Sequence, residues 1–332
     1  MTSSAFDDIC GVTHHSGYVF TPSEKVALQT AVPLLATRAK RPNVAVWGKL
    51  FGVKADYIVV QAFAEDMVEE PLLFYSIDEG LHFTLLGTAS SLLASLASSE
   101  DVATNGLAMQ QLKLSLLQKM QGPFLGDPSY EYRLSSDRVG EVSSVKESVR
   151  LALFVEEFDY QCRVAPRGAY YLGERRDGLP HEVRRNGAFT GLSSTPALQN
   201  QESAFSLHNY YHIRRSNPYR RLLDGSKQGY YVEKTDLQRL HENRQVDAVF
   251  DPLSDDIPTG LWVLHYDPMR KVVYGRNKKF EGALFYHRPE TSSFGTLYMG
   301  EGTVNPNLAF EILKGETGPP MTLFLLFVHP PF

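Results

Sequence analysis

Apolar positions follow a helical period near the start of this chain, gather into short strand-like runs further along, and between residues 88 and 120 share a helical face only at Leu112, Leu116 and Leu117. Thr21-Pro22-Ser23-Glu24 reads as a helix start: Thr21 caps, Pro22 suits the first helical position, and Glu24 closes the capping box. Val26, Ala27, Ala31, Leu34 and Leu35 then recur at roughly helical spacing, and Pro33 is expected to kink or end the helix early. From Asn43 the pattern turns to β-branched and aromatic residues. Residues 43 to 51 and 55 to 61, with Gly52-Val53-Lys54 between them, predict a β-hairpin, and residues 72 to 77 a third strand.

Residues 88 to 120 read as a short-helix insertion or a partly mobile loop, closed by Gly122-Pro123 and Gly126-Asp127-Pro128. Residues 141 to 160 fit a helix, with a strand as the competing reading, and Pro166-Arg167-Gly168 is a turn. Thr195-Pro196 is expected to open a helix reaching about Ile213, with Ala204, Leu207 and Tyr211 on one face; residues 236 to 243 read as another short helix. In the last third, runs at 261–266, 271–275, 283–287 and 296–300 are separated by turn residues and predict an antiparallel meander. The whole is an α+β pattern rather than a doubly wound parallel one. It divides into an N-terminal tail (1–20), one α+β domain (21–310) with 88–120 inserted, and an apolar C-terminal extension (311–332).

Composition narrows the class. Of 332 residues, 43% are hydrophobic and 21% charged, which is ordinary for a folded protein. The net charge of −5 is too mild to announce a nucleic-acid binder, and two cysteines fit a reducing compartment. The polar first residues predict no secretory leader. The apolar run at 321–328, shorter than the roughly 20 residues a membrane helix needs, is expected to be a buried strand or to dock on a partner. A soluble intracellular protein is the expectation.

Little chemistry stands out. Gly48-Lys49 fails the phosphate-loop pattern, and Gly300-Glu301-Gly302 lacks a third glycine and a following helix. Cys10, His14 and His15 are too few for a zinc site and read as tail. Glu156-Glu157 and Asp255-Asp256 are adjacent carboxylates, whose side chains should diverge; Asp255-Asp256-Ile257-Pro258 reads as a turn cap. An enzyme would have to use His287 beside Tyr286 and Arg288, or His265 beside Tyr266, and single strand histidines are more often packed. No catalytic, cofactor-binding or metal residues are therefore assigned.

The arginines carry more weight. Arg163, Arg167, Arg175, Arg176, Arg184, Arg185, Arg214, Arg215, Arg220 and Arg221 lie in one stretch with Tyr170, Tyr171, Tyr210, Tyr211 and Tyr219. Such a mixture suits an acidic protein surface or RNA, and the acidic chain ranks protein first. The pairs from Arg175 to Arg221, with Tyr130 and Tyr132, are the candidate interface residues, while Trp47 and Trp262 read as core.

Several motifs together resemble the radial spoke head protein 9 family of motile cilia and flagella. They are Trp47-Gly48-Lys49-Leu50-Phe51-Gly52 with Ala55-Asp56-Tyr57, and Gly126-Asp127-Pro128-Ser129-Tyr130-Glu131-Tyr132. Pro166-Arg167-Gly168-Ala169, the stretch from Asp255 to Trp262, Phe285-Tyr286-His287, and Phe294-Gly295 through Gly302 complete the set. The resemblance spans most of residues 20 to 310; residues 88 to 118 and 193 to 235 are longer than the family pattern. It implies a non-enzymatic spoke head subunit in the axoneme, partnered by spoke head proteins of the 4 and 6 type and transiently by central-pair projections. It implies no cofactor, nucleic acid or membrane, and mechanical relay that regulates dynein. The competing reading is a module binding RNA or an acidic protein surface through residues 163–221.

Overall fold

The computed structural model describes Gly11 and residues 17–63, 70–96, 106–134, 144–173, 182–195, 203–213 and 250–312. The segments at 236–243 and 321–328, and Cys10, His14 and His15, lie outside the described residues.

The first helix, α1 (Pro22–Ala39), starts as its capping box dictates. Thr21 Oγ1 accepts from the Glu24 N–H, and the Glu24 carboxylate accepts from the Thr21 N–H. The helix does not end at Pro33 but runs on to Ala39. Pro33 is exposed, so the carbonyl it leaves unpaired faces water, and the usual cost of an interior proline is softened. The buried stripe also differs from the expected one. Leu28, Val32 and Leu35 face inward, while Val26 and Leu34 are 64% and 65% exposed.

Eight strands form one sheet, in the order 262–267, 272–277, 283–287, 294–300, 43–50, 57–63, 72–76 and 84–87. Its N-terminal half is β1 (Asn43–Leu50), β2 (Tyr57–Phe63), β3 (Leu72–Ser76) and β4 (Thr84–Gly87). Its C-terminal half is the expected meander: β11 (Trp262–Asp267), β12 (Val272–Asn277), β13 (Ala283–His287) and β14 (Phe294–Gly300). Neighbours pair antiparallel except at the seam, where β1 and β14 run parallel with Gly48 opposite Tyr298 and Leu50 opposite Gly300.

Both faces of the sheet are covered at β2, whose seven residues are all buried and, Gln61 apart, apolar or aromatic. Ile58, Val60 and Ala62 pack with Leu28, Val32 and Leu35 of α1. Tyr57 and Val59 belong to the opposite core, with Leu151, Phe154 and Phe158 of a second long helix. Residues 141–160 thus resolve into a short strand, β6 (Ser144–Lys146), paired with β5 (Glu131–Arg133), and the helix α4 (Glu147–Cys162). Residues 88–120 contain α2 (Ala89–Leu96) and α3 (Gly106–Lys119), with Leu93 and Leu116 packed on Val149 and Leu153. Covered by the sheet on one side and by α2 and α3 on another, α4 is buried almost all round, and its run from Leu151 to Val155 is wholly apolar; that is what gave it the look of a strand.

The helix expected to reach Ile213 is not formed over residues 203–213. A single 3₁₀ turn (Leu207–Asn209) leads into strand β10 (Tyr210–His212), paired with β7 (Val164–Pro166). The reason is two-sided burial: Tyr210 packs in the core with Trp262 and Phe285, and Tyr211 in a separate cluster with Tyr170 and Phe250. The hairpin of β8 (Tyr170–Gly173) and β9 (Glu182–Arg185) and a short α5 (Leu308–Ile312) complete the described elements.

Candidate functional site

Three of the family-like motifs, at 47–57, 126–132 and 255–262, land on buried polar locks, each tying a loop or helix to the sheet. The largest is Glu147, fully buried at the start of α4. Its Oε1 accepts from the N–H of Gly126 at 2.7 Å, the N–H of Asp127 at 3.0 Å and the Tyr57 hydroxyl at 2.8 Å. Its Oε2 accepts from the Leu125 N–H at 2.9 Å and the Tyr132 hydroxyl at 2.5 Å. Burial opposes ionisation, yet the donors outweigh it and hold the carboxyl below its ordinary range. Burial and the same carboxylate push the Tyr132 phenol up to about 12. Arg150, one helical turn on, donates to the Tyr132 hydroxyl and to the carbonyls of Gly122 and Pro123, and lies 3.9 Å from the Phe124 ring centroid.

A second lock is Asp159 on α4. It accepts from Trp47 Nε1 at 2.9 Å and Gln61 Nε2 at 2.6 Å, and pairs with Arg163 at 2.9 Å. Burial raises its carboxyl, with Arg163, Gln61 and Trp47 opposing. A third joins Lys49 to Glu24 at 2.7 Å and Asp56 at 2.9 Å, clamping α1 to β1. The fourth is Asp256, which accepts from the His212 imidazole and from Trp262 Nε1. It does more than cap a turn, because it fastens β10 to β11.

His287 is a packed histidine. The Leu192 N–H donates to Nε2, so the ring proton sits on Nδ1 and reaches the Ser293 carbonyl at 3.1 Å. Burial lowers its pKa to about 4. A folded imidazole that stays neutral contributes stability fully present above about pH 6.5. That contribution is lost as pH falls toward 4, because only the unfolded chain takes the proton, and it amounts to about 3 kcal/mol. The His287→Gln variant should flatten that part of the acid sensitivity; urea unfolding of both proteins at pH 7 and 4.5 checks it, and parallel losses would contradict it. His265 stacks on Tyr274 with centroids 5.2 Å apart.

The adjacent carboxylates Glu156 and Glu157 do converge, since both approach the buried Lys113 ammonium, at 3.5 and 3.2 Å. Lys113 lies on α3, so this pair pins α3 to α4.

The surface candidates separate. Tyr130 is 42% exposed and its ring meets Tyr132, itself half-buried by the Glu147 lock, edge-on at 5.0 Å. Arg184 and Arg185 are exposed on β9, with Arg184 opposite the exposed Tyr171 and the Arg185 guanidinium 5.5 Å from the Phe294 ring. Arg163 turns inward to Asp159 and does not join them. Arg175, Arg176, Arg214, Arg215, Arg220 and Arg221 lie outside the described residues. Both tryptophans are core, each 4% exposed. Sequence reading missed Glu147, Arg150 and Asp159; the available signal was charge at helical spacing within an otherwise apolar helix.

Among the described residues, no group of three or more His, Cys, Asp or Glu is placed to hold a metal, and no helix is long and apolar enough to cross a membrane. No family model matches the chain. Curated relatives do. The chain is 29% identical over 305 residues to a protein of Danio rerio named radial spoke head protein 9 homolog, covering 89% of this chain and 94% of the relative. Proteins of the same name from Homo sapiens and Xenopus tropicalis are each 28% identical, over 89% and 90% of this chain and 94% and 95% of theirs. The resemblance read from the motifs is thus borne out along nearly the whole chain.

Proposed function

We propose that this chain is a structural subunit of the radial spoke head in a motile cilium or flagellum. The observation that carries this reading is the end-to-end similarity, 28% identical over 305 residues of the human relative and 94% of its length. In this role the subunit performs no reaction of its own. It assembles with other spoke head proteins, those of the 4 and 6 type foremost, and holds a shape that passes contact from central-pair projections to the doublet microtubules, biasing dynein.

The geometry supports that role through stiffness. Three of the motifs that carry the resemblance serve as internal locks: Trp47 on Asp159, Tyr57 and Tyr132 on Glu147, and Trp262 on Asp256. A body fixed at four buried points transmits displacement instead of absorbing it. Tyr130, Arg184 and Arg185, with the arginines at 175, 176, 214, 215, 220 and 221, are the proposed partner contacts, and Tyr132 supports Tyr130 from beneath.

The test is to tag the protein in its own flagellated cell, strip the membrane with detergent and identify what stays bound. Retention along the axoneme together with spoke head proteins of the 4/6 type is the expected result. Release into the soluble cell body without axonemal partners would overturn the reading.

A further inference from the structure

We propose that the outer edge of β11 docks an extended, acidic segment of a partner protein by strand addition. The two edges of the sheet are treated differently. The β4 edge has four residues, and its pairing to β3 slips between Leu73 and Phe74. Shortness and irregularity are the usual means of blunting an edge. The β11 edge has six residues, Trp262 to Asp267, in unbroken register with β12. It carries no proline, no lysine and no bulge, and among the described residues no strand pairs with its far side. An edge left this regular is a template for another strand.

The chemistry around it selects the occupant. Residues 268–280 contain Arg270, Lys271, Arg276, Lys278 and Lys279 and no carboxylate, in a chain whose net charge is −5; the one carboxylate of β11, Asp267, lies at its end and accepts from the N–H groups of Met269 and Arg270 in the turn. Lys278 and Lys279 reach the Glu311 carbonyl and Gln161, whereas Lys271 and Arg276 are exposed. Arg276 stands directly across from Val263, one strand in from the edge. The same face carries His265, also exposed. The other face is apolar: half-buried Leu264 packs on the core, and Tyr266, 40% exposed, meets Phe205 edge-on at 5.1 Å. A strand added here would set alternate side chains over Leu264 and Tyr266 and the others beside His265 and Arg276. The fitting partner therefore alternates apolar and acidic residues.

The test uses the full chain and two synthetic peptides of about ten residues, enough to span an edge of this length. One alternates valine with glutamate, the other valine with lysine. The glutamate peptide should bind at least about tenfold more tightly, weaken as salt rises, and slow hydrogen exchange at residues 262–267. The double variant Lys271→Glu/Arg276→Glu, altered only at exposed positions, should reverse the peptide preference. Equal binding of both peptides, or protection elsewhere than β11, would overturn the proposal. So would protection, in the chain alone, of the outward-facing β11 amides that do not pair with β12, whether independent of concentration (another segment of this chain covers the edge) or rising with it (a second copy does). Binding of single-stranded RNA to the hairpin in place of the peptide would overturn it too. None of these outcomes bears on spoke head membership, which axonemal retention decides.

Discussion

Replacing Glu147 with alanine is expected to cost about 5 kcal/mol of folding stability, among the largest losses any single substitution could inflict here. Five donors converge on this carboxylate: three consecutive backbone N–H groups, from Leu125 to Asp127, and the hydroxyls of Tyr57 and Tyr132. Alanine leaves them facing a dry cavity, and Arg150 loses the phenol oriented for it. Each buried orphan costs roughly 1–3 kcal/mol, with partial relaxation at the edges of the loop. Glu147→Gln keeps one accepting oxygen and should lose about half as much. Urea denaturation measures both, and a Glu147→Ala midpoint within error of the parent would refute the hub. Because the carboxyl is held below its ordinary range, its contribution is present above that range and lost as pH falls through its folded value. The stability gap between Glu147→Gln and the parent should therefore narrow in acid, while Glu147→Ala keeps the cost of its cavity.

Gly48→Ala is expected to be as damaging by a different route. Gly48 has φ of +148°, and a Cβ placed there would lie 1.9 Å from the Tyr298 carbonyl oxygen. The obstacle is backbone, so no side chain can swing aside. Gly48 also sits where the β1–β2 register shifts, next to the bulged Trp47, and opposite Tyr298 across the seam. Alanine must part the seam or unwind the bulge, at more than about 4 kcal/mol. Soluble yield and thermal unfolding report it. A stable Gly48→Ala protein with an intact Trp47 environment would show that the close approach of β1 and β14 is not required.

What could be read from the sequence was local. The capping box at Thr21 and the turn residues between the C-terminal strands act over a few positions, and each element they announce is present. Burial direction was less legible. Val26 and Leu34 look like core on helical spacing but face out, because the neighbouring sheet selects the stripe of Leu28, Val32 and Leu35. Tyr210 and Tyr211 look helical beside Leu207, yet two separate cores pull successive side chains apart. Least legible were the locks. Trp47 and Asp159, or Tyr57 and Glu147, come together only through the fold, and nothing in the spacing of one names the other. Their motifs were visible as a family resemblance before their physical purpose was.

The parallel seam orders events during synthesis. Strands β1 to β4 and helix α1 can form as soon as their residues leave the ribosome, since their pairings are to near neighbours. The partner of Gly48 is Tyr298, which emerges only after almost all of the described chain. Until then β1 is itself a sheet edge, with Val44, Val46 and Leu50 awaiting their final cover. The nascent half-sheet is thus most exposed to wrong pairing through the long interval in which residues 88 to 293 are made. A cell producing this protein should need a holding chaperone during that interval, and slowing translation late in the message should raise the fraction lost to aggregation.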